Sequence, residues 1–163
     1  MGVIVLVTIG QDHFRQGNHF QENGEWLSAI MELMQVSRDN PDYALARAGL
    51  AYCQLMVEDF SAAISVCEDL IASHNSKDLK FKLWLQFTDE NPFVIQAYAL
   101  FRLGEQDKAC LVLETFAAQY RELLLKFFER NNKSSIWLDL CRSDIVTPLL
   151  ETWRNWLLKQ PVD

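Results

Sequence analysis

The stretch GNHFQENGEWLSAI, at residues 17–30, recurs in outline as GLAYCQLMVEDFSAAI at residues 49–64. In each copy a glycine and aromatic residues precede an alanine, and these alanines, Ala29 and Ala63, lie 34 residues apart. A third, looser copy contains Ala109, which is 12 residues later than the same period would place it. A fixed period of roughly 20 to 50 residues is typical of stacked units that cannot each bury an apolar face alone. The pattern predicts a mainly α fold of helical hairpins whose function lies in a surface.

Glycine, proline and asparagine residues mark where the helices begin and end. Asn23-Gly24 suits a left-handed turn that ends one helix and frees the next, and Gly104 divides a later pair. Pro41, preceded by Asn40, and Pro92, preceded by Asn91, suit first helical turns. The predicted helices are 11–22, 25–37, Pro41 to about Met56, 60–73, Pro92 to Leu103, and a long helix from Glu105 to about Phe128.

Two short apolar segments predict a small two-stranded β element. Residues 3–9, VIVLVTI, are a β-branched run between glycines. Residues 79–87, LKFKLWLQF, carry a large apolar residue at every odd position, which is strand periodicity. The second segment also fits a helix, because Leu79, Leu83 and Phe87 share one helical face, so both interpretations stay open. If both segments are strands, we expect them to pair and so satisfy their backbone polar groups.

The length of 163 residues and a hydrophobic content of 50% suit one domain with a sizeable core. The C-terminal part, with Trp153 and Trp156, is expected to cover the apolar face of the last repeat. Within a single domain 1–163, the predicted parts are repeat 1 at 11–40, repeat 2 at 41–75, an insert at 76–89, repeat 3 at 90–120 and C-terminal helices at 121–163.

The negative charge of the chain is concentrated in its N-terminal half. Residues 1–70 hold 10 acids and 3 bases, whereas residues 71–163 hold 12 of each. An acidic half repels phosphate backbones and attracts basic or mixed-charge surfaces. We therefore expect no nucleic-acid binding. The apolar run at 3–9 is too short to span a membrane.

The cysteine and histidine spacing argues against a disulfide framework or a metal site. The four cysteines are widely separated, no C-x-x-C pair occurs, and the three histidines are not at zinc-ligand distances from them in the sequence. Buried free thiols in a reducing compartment are the simpler interpretation. We expect a cytoplasmic protein without metal or cofactor.

The repeated residues resemble the tetratricopeptide repeat family, whose pattern combines G-x2-Y in one helix with A-x3-F in the next and a later proline. The matching positions are Gly17 and Phe20, Ala29 and Leu33, and Pro41 in copy one; Gly49 and Tyr52, and Ala63 and Cys67 in copy two; and Ala97 and Leu100, and Ala109 and Leu113 in copy three. The small residues would let paired helices approach closely. Length, acidity and groove composition are also similar to those of small chaperones of bacterial type III secretion systems.

The resemblance implies a right-handed α-α superhelix whose first helices line a groove for a partner protein. Most groove residues would be apolar or aromatic, which suits an amphipathic helix or an extended peptide. The basic residues with which some family members hold a terminal carboxylate are largely missing. The implied partner-binding positions are Phe14, Asn18, Gln21, Tyr43, Ala46, Arg47, Leu50, Cys53, Asn91, Val94, Tyr98 and Phe101.

The sequence favours an adaptor or dedicated chaperone over two alternatives. One is a self-assembling subunit, such as a homodimer, joined through an open strand edge or through the Trp153 and Trp156 face. The more remote one is an enzyme with a Cys/His or carboxylate pair, for which no G-x-S-x-G, H-E-x-x-H or phosphate-binding glycine loop is present. We expect no catalytic residues.

Overall fold

The computed structural model describes residues 13–75, 77–131 and 133–159, and these residues are mainly helical with no strand among them. Three 3-10 turns interrupt the helices, at Thr88–Glu90, Arg121–Leu123 and Asp144–Val146. The helices are α1 (13–22), α2 (Trp26–Leu33), α3 (Tyr43–Met56), α4 (Phe60–Ser73), α5 (Leu79–Trp84), α6 (Pro92–Arg102), α7 (Gln106–Gln119), α8 (Leu124–Arg130), α9 (Ser135–Cys141) and α10 (Thr147–Leu158).

Three hairpins, α1–α2, α3–α4 and α6–α7, share one turn geometry. Gly24, Glu58 and Gly104 each have a left-handed backbone, with φ of 73°, 63° and 82°. In each turn the next residue donates its backbone N–H to a carbonyl five residues earlier, at 2.8 Å in the first and 2.9 Å in the other two. This arrangement satisfies carbonyl groups at the end of the first helix. The turns lie 34 and 46 residues apart, which is the spacing of the repeated alanines.

Small residues set the distance between the paired helices. Ala29, Ala63 and Ala109 are completely buried, and each begins the inner face of the second helix of its hairpin. A Cβ atom on Gly17 would lie 2.5 Å from Cδ2 of Leu33, well inside van der Waals contact. The close approach of α1 and α2 therefore requires the absence of a side chain at position 17.

The strand prediction for residues 79–87 is wrong, because Leu79–Trp84 form α5. The Asp78 side chain caps this helix by accepting a hydrogen bond from the Phe81 backbone N–H at 3.1 Å. Phe81 and Leu85, four residues apart, are buried, whereas Leu79 and Leu83 are exposed, opposite to the helical face that the sequence suggests. The other predicted strand, residues 3–9, lies outside the described residues.

The long helix predicted from Glu105 to Phe128 is divided in two. α7 ends at Gln119, and the backbone of Tyr120 leaves the helical region with φ −131° and ψ 40° before a 3-10 turn leads into α8. Tyr120 is 1% exposed and its ring lies 5.8 Å from that of Phe93 and 6.1 Å from that of Phe81. Burial of this tyrosine among aromatic rings from α5 and α6 accompanies the break.

The C-terminal helices cover the third hairpin. α10 packs against α7, and α9 contacts α6. Trp137 of α9 meets the ring of Phe127 edge to face at 5.0 Å. The side chains of Trp153 and Trp156 lie outside the described part of the structure. No helix in the described ranges combines the length and the apolar character needed to cross a bilayer.

Candidate functional site

Half of the twelve predicted groove residues lie in the interior of the protein. A side chain that is fully buried has no surface to offer a partner in this conformation. The buried residues are Ala46, Leu50, Cys53, Asn91, Val94 and Tyr98, and none of them is more than 8% exposed.

Asn91 has a structural role in place of the predicted contact. Its Oδ1 accepts hydrogen bonds from the backbone N–H groups of Phe93 at 3.0 Å and Val94 at 3.2 Å, which caps α6. Its Nδ2 donates to the carbonyl of Leu85 at 2.8 Å. The buried amide therefore joins the end of the insert to the start of the third hairpin, and both of its polar atoms have partners.

Tyr98 is covered by the C-terminal part of the chain. Its hydroxyl donates to Oδ2 of Asp139, on α9, at 2.9 Å. Arg102 Nη1 lies 3.4 Å from the same hydroxyl and Arg102 Nη2 lies 2.5 Å from Oε1 of Glu58. At this end of the groove that the repeat pattern predicts, the protein's own α9 therefore lies over Tyr98 without closing the groove completely.

The other six predicted residues are half-buried and divide among different places. Phe14 and Phe101 pack against the core. Tyr43 and Arg47 line a small cleft between α3 and α4. Of these six residues, only Asn18 and Gln21 line an open cleft between α1 and α3.

This last cleft, which we call the acidic cleft, has a volume of about 360 Å³. Its sides come from α1, the start of α2, α3 and the 3-10 turn before α6. Trp26 and Tyr52 meet edge to face, with ring centroids 5.8 Å apart. Gly49 leaves space between them and α1, since a Cβ atom there would approach Oε1 of Gln21 to 3.0 Å. The lining residues are Asn18, Gln21, Glu22, Trp26, Leu45, Gly49, Tyr52, Asp89 and Glu90.

The cleft carries uncompensated negative charge. Among its described lining residues are three carboxylates and neither lysine nor arginine. None of the three carboxylates forms an ion pair within the described ranges. Burial, and then the charge of Asp89, raise the pKa of Glu90 to about 7. The same two causes raise the pKa of Tyr52. Glu90 therefore lies close to Asp89 and partly away from water, whereas Glu22 and Asp89 are themselves exposed.

A second open cleft, of about 320 Å³, lies between the end of α3, α6 and α9 and shares no lining residue with the first. Its lining holds the acids Glu58 and Asp139 and the bases Arg102, Lys133 and Arg142, and all of these except Lys133 form ion pairs with one another. Arg102 pairs with Glu58 at 2.5 Å, and Arg142 lies 3.5 Å from Asp139. Paired side chains of this kind satisfy each other and leave little net field for a charged ligand.

The two cysteines that the fold buries, Cys53 and Cys67, are held in their protonated form. Burial raises the pKa of Cys53 to about 12 and raises that of Cys67 as well. Both thiols therefore stay protonated at neutral pH, and a protonated thiol is a poor nucleophile. No group of three or more His, Cys, Asp or Glu side chains suited to a metal ion occurs among residues 13–75, 77–131 and 133–159.

The sequence did not single out most of the acidic cleft. Asp89 and Glu90 appear in the sequence as a pair of adjacent charges typical of a solvated loop. Trp26 and Tyr52 fit a repeat-core pattern, and only their distance in the fold shows that they meet. The one signal in the sequence that this acidic pair is held in place is its position directly before Asn91, the residue that caps α6.

Comparison with protein-family models, with curated proteins and with solved structures finds no match to this chain in any of the three.

Proposed function

We propose that this chain is a protein-binding module, an adaptor or dedicated chaperone of the cytoplasm, that holds a segment of another polypeptide. The observation that carries the proposal is the acidic cleft, an open recess on the side where the first helices of two hairpins meet. Three hairpins with one turn geometry support a tetratricopeptide-like stack, in which that side receives ligands. The four free cysteines suit a reducing compartment.

The size of the cleft favours an extended segment over a bound helix. One helical turn with its side chains, about 10 Å wide and 5.4 Å high, fills roughly 420 Å³. The cleft has a volume of about 360 Å³ and is open to solvent, so it receives side chains and does not enclose a whole turn. An extended strand that places one or two side chains into the recess fits this volume and leaves its backbone at the rim. The apolar helix expected from the sequence would need the groove that α9 and the insert now partly fill.

Crosslinking in cells of the source organism tests the proposal. A photoreactive phenylalanine analogue replaces Leu45, which lines the acidic cleft, and in a control replaces Ser65, exposed on α4. We expect a polypeptide of defined mass to be linked to the first variant and not to the second. No linked polypeptide at position 45, or the same products from both positions, would contradict a binding module that uses this cleft.

Self-association is a second candidate function, because α2 carries an exposed apolar stripe. Leu27, Met31 and Met34 are 68%, 71% and 61% exposed and share one face of the helix. Such a stripe on a soluble domain is typical of a contact surface. Sedimentation of the wild type and of Met31→Asp over a hundredfold concentration range tests this function. A concentration-dependent mass that the substitution abolishes would favour it, and a constant monomer mass would exclude it.

A further inference from the structure

The acidic cleft combines two features that favour a positively charged side chain. The first is aromatic. Trp26 and Tyr52 both line the recess, and their rings meet edge to face at a centroid distance of 5.8 Å. A cation within about 6 Å of such a ring is attracted by the electron density of its face. The apolar side chain of Leu45 lies in the same lining and suits the methylene stem of a long basic residue.

The second feature is electrostatic. Glu22 comes from α1 and Asp89 and Glu90 from the turn before α6, so the three acids line one recess only in the folded protein. No described basic side chain lines the recess, and the three acids repel one another. A bound cation relieves this repulsion. In addition, residues 1–70 carry 10 acids and 3 bases, which steers basic segments to this half of the protein.

The remaining polar groups suit a peptide backbone. Asn18 and Gln21 lie one helical turn apart on α1 and line the same wall. A side-chain amide both donates and accepts, so it can pair with the N–H and C=O groups of an extended chain. Gly49 leaves room for the side chain of Gln21, because a Cβ atom at position 49 would lie 3.0 Å from its Oε1.

We infer that the acidic cleft binds a lysine or arginine side chain of an extended segment of the partner polypeptide, with its charge between the Trp26–Tyr52 pair and the three carboxylates. This inference rests on the proposed function and gives its partner a chemistry: a basic, extended segment in place of an apolar helix. The amides of α1 hold the backbone, and the carboxylates and rings hold the side chain.

Fluorine NMR of 5-fluorotryptophan-labelled protein tests the inference, with the Trp26 signal assigned through Trp26→Phe. The probes are the blocked tetrapeptide Ala-Lys-Ala-Ala, its arginine and norleucine counterparts, and butylammonium. The test variant is Asp89→Asn with Glu90→Gln. The matched control is Glu68→Gln with Asp69→Asn, which removes the same charge from the exposed face of α4.

We expect a saturable shift of the Trp26 signal with the lysine and arginine peptides, weakened by added salt and absent with norleucine. The test variant should weaken binding at least tenfold, and the control no more than about twofold, since exposed charges act only through a screened field. Butylammonium should bind several-fold more weakly than the lysine peptide, because it has no backbone for the amides of α1. Near-ultraviolet circular dichroism shows whether each variant keeps its packing.

Three results would overturn the inference. The first is no saturable shift with either basic peptide up to about 20 mM, a concentration at which only binding far weaker than specific recognition would escape detection. The others are equal binding of the norleucine peptide, or equal binding of butylammonium, which would make the ligand a free amine. Each is distinguishable from failure of the proposed function. A polypeptide crosslinked at position 45 together with a silent lysine titration leaves the binding module in place and removes only the basic side chain.

Discussion

Replacement of Gly17 by alanine tests the close packing of the first hairpin, because two physical effects predict opposite signs. In an exposed helix, glycine to alanine stabilises by about 1 kcal/mol, since alanine loses less backbone entropy on folding. In this structure, however, the new Cβ atom would lie 2.5 Å from Cδ2 and 2.6 Å from Cγ of Leu33. We expect the steric effect to dominate and the variant to be less stable than the wild type.

The magnitude follows from how little Leu33 can move. Its side chain is 1% exposed, so it is enclosed by core neighbours. The two contacts are about 1 Å shorter than ordinary carbon–carbon contact. Overpacking of this kind costs about 1–3 kcal/mol, and a leucine without free space to enter belongs at the upper end. After subtraction of the helical gain, the net loss is about 2 kcal/mol, or roughly 4–8 °C in Tm for a chain of this length.

Urea unfolding followed by circular dichroism measures this loss, with Ser28→Ala on the exposed face of α2 as a control expected to lie within about 0.5 kcal/mol of the wild type. A double-mutant cycle isolates the contact. In a Leu33→Ala background the obstructing atoms are gone, and Gly17→Ala should then stabilise by about 1 kcal/mol. Equal or greater stability of the single Gly17→Ala variant would refute the close approach of α1 and α2.

Three further outcomes are expected. Asn91→Ala should lower the free energy of unfolding by about 2–3 kcal/mol in urea titrations, because it removes the cap of α6 and leaves the carbonyl of Leu85 without its donor; a loss under about 0.5 kcal/mol would contradict this role. Tyr98→Phe should cost about 1 kcal/mol and speed amide exchange in α9, since Asp139 loses its hydroxyl donor; unchanged exchange would show that the bond does not hold α9. The pKa of Glu90 is about 7 in the fold against an ordinary 4.5, so its stabilising contribution is complete below about pH 4.5 and is lost as the pH rises through 7. Glu90→Gln should remove about 1 kcal/mol of this pH dependence, after allowance for the water that reaches an open cleft. Stability curves of variant and wild type that run parallel between pH 5 and 8 would contradict this.

The hairpins could be predicted because their signals are local. Gly24 and Gly104 mark left-handed turns, Pro92 marks a first turn, and alanines 34 residues apart mark the inner faces. The second turn was harder to place, because Glu58 adopts the left-handed conformation without being glycine. A non-glycine residue there costs about 1 kcal/mol, and the surrounding turn imposes it.

The segment at 79–87 shows why periodicity alone was insufficient. Apolar residues at every odd position include Phe81 and Leu85, which are also one helical turn apart. The capping Asp78 and the aromatic cluster around Phe81 favour the helical conformation of this segment. The cluster involves residues that are distant in the sequence. No local pattern contains that information.

The groove residues could not be derived from the repeat pattern, because their exposure depends on chain outside the repeats. Leu50 and Val94 occupy groove positions by register but are buried. α9 reaches across to Tyr98 through Asp139, and Asn91 joins α6 to the insert. Register fixes which way a side chain points, and the presence of another segment decides whether it meets solvent.

The chain between the second and third hairpins, residues 74–91, combines buried residues such as Phe81 and Leu85 with acids that line the acidic cleft. The hairpins obtain their stability from small residues and identical turns, while the acids of the Thr88–Glu90 turn give the acidic cleft much of its charge. A reversal of charge at the exposed Asp89 would change the charge of the acidic cleft, and with it the proposed ligand preference, without a change in the repeated helices. The charge of the cleft can therefore vary between variants while the packing of the hairpins stays constant.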